Sequence, residues 1–160
     1  MHNDEFVMRE AINWIKSDEG LSLMPYKCSA GFTTIGFGRN LDANPIEIPV
    51  ELLKKYGISE QGAFVILLDD VNKCVDKLSE LQVFNALTPT RKAALINMCY
   101  NLGFEGLMKF KNMFKALGDD NYELATHEML NSKWALQVPN RAGRLAAAML
   151  TDKMPALRKV

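Results

Sequence analysis

The chain has little of what metal centres, disulfide frameworks and membrane anchors are built from. Its 160 residues include three cysteines and two histidines. Cys28, Cys74 and Cys99 are odd in number and far apart, which argues against a disulfide framework and for reduced thiols. His2 and His127 share no short ligand spacing with any cysteine, so a metal site is not expected. A cysteine-protease arrangement around Cys28 also lacks its base, since one histidine stands at a terminus and the other on a polar helix face. An excess of one charge is missing too. Nineteen Lys+Arg balance nineteen Asp+Glu, and a neutral chain lacks the cationic surplus that non-specific phosphate binding needs. Nucleic acid is not the expected partner.

No run reaches the ~18 consecutive apolar residues of a membrane span. The opening "MHNDEFVMREAINWIKSDEG" puts acids and amides ahead of its apolar residues and carries no cleavable signal pattern. Synthesis in a cytoplasm, without stable membrane insertion, is the expectation. What remains is ordinary globular composition, 48% hydrophobic and 24% charged, which suits one domain or two small lobes sharing a core.

Apolar spacing predicts a helix over 4–19, with Met8, Ile12 and Ile15 on one face, Asn3 or Asp4 as its cap and Gly20 as its left-handed stop. Leu21 to Gly38 then turns rich in Tyr, Phe, Thr and Ile around Ser29-Ala30-Gly31, a β-hairpin pattern. Asn40 to Pro49 reads as loop, and Pro49 opens a short helix stopped by Gly57. Ser59 caps a long amphipathic helix with Ala63, Phe64, Leu67, Leu68, Val71, Val75 and Leu78 in its stripe. Thr88-Pro89 starts "PTRKAALINMCYNL", apolar on nearly every face and so expected to be buried. Shorter helices are predicted over 107–117, 120–130, 132–136 and 139–150. The layout is α+β, mostly α: a small hairpin lobe at about 20–60, a bridging helix at about 60–80, and a helical lobe at about 81–160 that includes the N-terminal helix.

Glu19 lies in the last turn of the first helix, where the negative end of the helix dipole disfavours an ionised carboxylate. An acid that keeps its proton is what general-acid catalysis needs. Cys28 falls at the hairpin turn, an unusual place for an inert core thiol, whereas Cys74 and Cys99 sit on apolar helix faces. Thr34 lies on the return strand with Phe32 and Gly36 on its face. Glycines within that strand mark a place where a ligand or another backbone comes close.

Taken in order, these residues resemble a known family. Asp18-Glu19-Gly20-Leu21, then Tyr26-Lys27-Cys28, then Thr33-Thr34-Ile35-Gly36-Phe37-Gly38 resemble the active-site hairpin of the phage T4-type lysozymes. The family pattern is a Glu, an Asp or Cys nine positions on, and a Thr six further. "RKAALINMCYNLG" is similar to the family's buried central helix and "SKWALQVPNRAGR" to its Trp…Pro-Asn-Arg segment. The resemblance runs from about residue 8 to about 150 across three ordered motifs. It departs at Cys28, where the type member has aspartate, and at Arg39, where the type member has histidine. Arg39 is left to pair with an acid such as Asp70. Ala30 replaces the acid before the turn glycine.

The resemblance implies a two-lobed lysozyme fold. It implies an endolysin that hydrolyses the β-1,4 bond between N-acetylmuramic acid and N-acetylglucosamine in bacterial peptidoglycan, with no cofactor. It gives Glu19 the role of general acid, with Cys28 and Thr34 holding and activating water on the opposite sugar face. Gly36, Phe37 and Gly38 would form a lip of the cleft, and Arg141 would hold Glu19, with Asn101, Trp134 and Asn140 supporting that lobe. A monomer accumulating in the host cytoplasm and released through a holin lesion follows from the same likeness. An inactive wall-binding protein and a lytic transglycosylase are the alternatives.

Overall fold

The computed structural model describes residues 2–156. Helix α1 (His2–Glu19) buries Val7, Ala11, Trp14 and Ile15. It begins at His2, so Asn3 and Asp4 lie within its first turn rather than capping it. Asp4 and Glu5 stand there at the positive end of the helix dipole. Gly20 ends the helix in the left-handed region at φ 68°, its N–H bonded to Lys16 O at 3.2 Å.

Strands β1 (Ser22–Lys27), β2 (Thr33–Gly36) and β3 (Arg39–Asn40) form an antiparallel sheet in that order. Tyr26 faces Thr34 and Lys27 faces Thr33, with an irregularity between Ser22 and Tyr26. The turn is closed by Gly31 N–H to Cys28 O at 2.8 Å and Cys28 N–H to Phe32 O at 3.0 Å. β3 lies where the sequence reads as loop, because two residues are too few to show alternation. Helix α2 (Val50–Tyr56) follows Pro49 and packs Leu53 against Ile35 and Leu41, a small core of its own.

Helix α3 (Glu60–Ser79) starts at Ser59, whose Oγ accepts from Gly62 N–H at 3.0 Å. Twenty residues at ~1.5 Å rise give roughly 30 Å, enough to bridge the lobes. Ala63, Leu67, Val71 and Leu78 are buried, but Phe64 leaves the expected stripe and is exposed, with Lys16 Nζ 5.6 Å from its ring. The short α4 (Gln82–Asn85) buries Phe84. Helix α5 (Pro89–Leu102) is the buried centre: every residue from Ala93 to Cys99 is inside.

The helix predicted over 107–117 is two helices, α6 (Phe104–Met108) and α7 (Lys111–Gly118). The chain breaks at Phe110, which has non-helical ψ 55° and packs edge-on against Trp134 with ring centres 6.2 Å apart. Helix α8 (Tyr122–Leu130) starts later than predicted because Asp120 takes φ 53°. Helices α9 (Lys133–Gln137) and α10 (Pro139–Thr151) complete the lobe. One apolar core joins α1, α3, α5, α7, α8 and α10. The fold is mostly-α α+β and lysozyme-like. Among the described residues no helix is long and apolar enough to cross a membrane.

Candidate active site

Glu19 closes α1 and its side chain is 20% exposed. Its Oε1 accepts from Arg141 Nη1 at 2.6 Å. Arg141, on the first turn of α10, is buried, and so needs its charge matched. Its Nε donates to Asn97 Oδ1 at 2.7 Å and lies 3.5 Å from Asp18 Oδ2. Asn97 Nδ2 in turn donates to Asp18 Oδ2 at 3.0 Å, and Asp18 Oδ1 accepts from Arg144 Nη2. Two acids and two arginines therefore surround one buried amide. Glu19 Oε2 faces the hairpin instead. A Cβ on Gly38 would lie 2.7 Å from that oxygen, and Gly38 has φ 83°, so only glycine fits beside the carboxylate. Tyr100 ties the same strand end to α5, its hydroxyl donating to Phe37 O at 2.6 Å. Burial, then the charges of Asp70 and Glu19, push the Tyr100 phenol up, so it remains a donor.

On the hairpin, Thr34 is buried on β2 and its hydroxyl donates to Phe32 O at 3.0 Å. Cys28 is half-buried just beyond β1. Its thiol is held below the usual range. The Phe32 amide lowers it most, burial opposes, and the Ala30 amide, the Thr34 hydroxyl and the Gly31 amide add to the lowering. A turn whose amides converge on a sulfur favours the thiolate, the form that accepts a proton. The single hydroxyl hydrogen of Thr34 serves either Phe32 O or that sulfur.

The other expected residues divide. Trp134 is buried and its Nε1 donates to Asn101 Oδ1 at 2.7 Å. With Leu102, Phe110, Lys109 and Lys133 it lines a groove of about 620 Å³ on the helical lobe. Phe37 is buried beneath Lys16, whose Nζ lies 5.7 Å from its ring, and Gly36 backs onto Ala63. Asn140 is exposed and contributes its main-chain oxygen, which accepts from Arg144 Nε at 3.2 Å. Arg39 pairs with Asp70 at 3.0 Å and donates to Asn44 O at 2.8 Å. Burial pushes the Asp70 carboxyl up, against the pull of Arg39. Among the described residues no cluster of three or more potential metal ligands occurs.

Sequence reasoning missed Asp18, Asn97, Tyr100 and Arg144 as parts of this site. Asn97 carried a signal, being the one polar residue among the seven buried from Ala93 to Cys99. A buried amide must find partners.

Residues 16–150 match the phage lysozyme family model. The chain is 26% identical to probable T4-type lysozyme 1 of Dictyostelium discoideum over 162 residues, covering 90% of this chain and 95% of that protein. It is 28% identical to the pre-baseplate central spike protein Gp5 of Enterobacteria phage T4, covering 88% of this chain and 27% of that protein. It is 27% identical to the endolysin of Acyrthosiphon pisum secondary endosymbiont phage 1, covering 76% and 74%.

Proposed function

The chain belongs to the phage lysozyme family, and from that premise we propose a muramidase that cleaves the β-1,4 bond between N-acetylmuramic acid and N-acetylglucosamine in peptidoglycan. One observation carries the residue assignment. Glu19 has one oxygen clamped by Arg141 and the other beside Gly38, at the end of the hairpin that carries Cys28 and Thr34. Glu19 protonates the glycosidic oxygen as the bond to the anomeric carbon breaks. Arg141 stabilises the carboxylate left behind. A water on the opposite sugar face, held by Thr34, attacks that carbon and passes its proton to Cys28 in its ionised form, which the amides of the turn favour. Attack from the far face inverts the anomeric centre.

Acting in this way the protein lyses cells as a monomeric endolysin, stored in the host cytoplasm and released to the wall through a holin lesion. Fractionation of infected cells before and after lysis tests that placement. The chemistry is tested by turbidity loss of permeabilised Gram-negative cells. Wild type should clear the suspension, and Glu19→Gln should be slower by about a hundredfold or more with its fold intact, since the amide has no acidic proton to transfer. Lysis by Glu19→Gln within about tenfold of wild type would assign the acid elsewhere. Products heavier than the anhydro-sugars by one water would separate hydrolysis from transglycosylation.

A further inference from the structure

Tyr26 belongs to the quoted hairpin motif, yet neither wall of the site described above uses it. Its Cα lies directly across from Thr34 in the β1–β2 register, and antiparallel partners project from the same face of a sheet. The two side chains therefore leave the sheet on one face at directly opposed positions. It is 43% exposed, against 3% for Thr34. The hydroxyl of Tyr100 is taken up by Phe37 O, whereas Tyr26 stands at the open side of the sheet. Burial, then the negative charges of Glu19 and Cys28, hold the Tyr26 phenol above the usual tyrosine range. It lies within reach of the charge of both Glu19 and Cys28 and keeps its proton at neutral pH.

A water poised for in-line attack has four bonds to place. Its two hydrogens go to acceptors, one lone pair goes to the anomeric carbon, and the second needs a donor if the water is not to rotate. Cys28 and Thr34 supply the acceptors. We propose that Tyr26 supplies the donor and is a positioning residue for the attacking water. This role rests on the muramidase reading above. The proton still passes from water to Cys28, and the tyrosine is unchanged by the reaction.

Tyr26→Phe removes the hydroxyl and keeps the ring. Its kcat and KM on purified peptidoglycan fragments, per folded molecule, should show kcat reduced about tenfold, the scale of one hydrogen bond. KM and melting midpoint should stay at the wild-type values. Tyr26→Leu should lose at least as much kcat, because it too lacks the donor. A kcat for Tyr26→Phe within about twofold of wild type would overturn the proposal. A loss that appears only in KM or in the melting midpoint would also overturn it, since it would show a structural role. Glu19→Gln is run beside them: if it alone is inactive, the muramidase reading stands and only the tyrosine role falls. Wild-type rates from Glu19→Gln would remove both.

Discussion

On the helical side of the cleft, Glu19 is held by buried side chains drawn from α1, α5 and α10, with Arg141 reaching it across 122 positions of sequence. On the hairpin side, Cys28 and Thr34 are held by the main chain of a single turn. The difference follows from charge. A buried acid needs a matching cation and every remaining polar atom needs a partner, so the network must recruit distant residues. A thiol beside water needs only a few amides, which a tight turn provides locally. The Glu19 side is therefore built into the fold of the large lobe, and the Cys28 side is held locally by its own turn.

Arg141→Leu strikes the first wall hardest. It leaves Glu19 without its cation and takes one of two from Asp18, whose side chain is 2% exposed and keeps Arg144 and Asn97. The expected loss is about 3–5 kcal/mol, the cost of breaking a buried ion pair from one side. Denaturant unfolding reads it, and an unchanged midpoint would show that the network does not hold that wall. Leu95→Ala asks how much of the same wall is ordinary packing. Leu95 is fully buried on the helix that carries Asn97. The expected cost is about 2–5 kcal/mol, a range set partly by Leu→Ala changes in T4 lysozyme, a relative. A cost under ~1 kcal/mol would mean that α5 is not the packed centre.

The hairpin wall gives the smallest effect, read by alkylation of Cys28 against pH. The thiol is held down by the Phe32 amide and its neighbours, so its midpoint should fall at lower pH than that of an ordinary thiol. Reaction is slow below that midpoint and fast above it, where the thiolate prevails. Cys74 stays out of the readout because its hydrogen bond with Cys99 and its burial push its thiol up, and Cys99 is fully buried. A midpoint at or above the ordinary value would mean that the turn does not favour the thiolate.

Local order was the legible part of this sequence. Gly20, Pro49, Gly57, Ser59, Thr88 and Gly103 mark helix ends by their own backbone or capping chemistry, and each stands at an end in the structure. The break at Phe110 was not legible, because it depends on a ring 24 positions away in Trp134. The site shows the same split. Glu19, Cys28 and Thr34 lie on one short stretch and carry a recognisable spacing. Asp18 and Arg144 reveal their roles only when α10 is folded against α1, where arginine and acid meet out of water. The pairing of Arg39 with Asp70 was suggested by the family resemblance, and the two stand 3.0 Å apart.

The claim that the hairpin wall delivers water through the chemistry at position 28 is tested most directly by lysis rates of Cys28→Asp and Cys28→Ala, with a melting midpoint for each. Aspartate is ionised at neutral pH and accepts a proton readily, so Cys28→Asp should keep substantial activity. Cys28→Ala keeps the turn but has no group to take the proton from the water, so it should lose most of its activity at an unchanged midpoint. A stable Cys28→Ala that lyses cells at the wild-type rate would contradict the account.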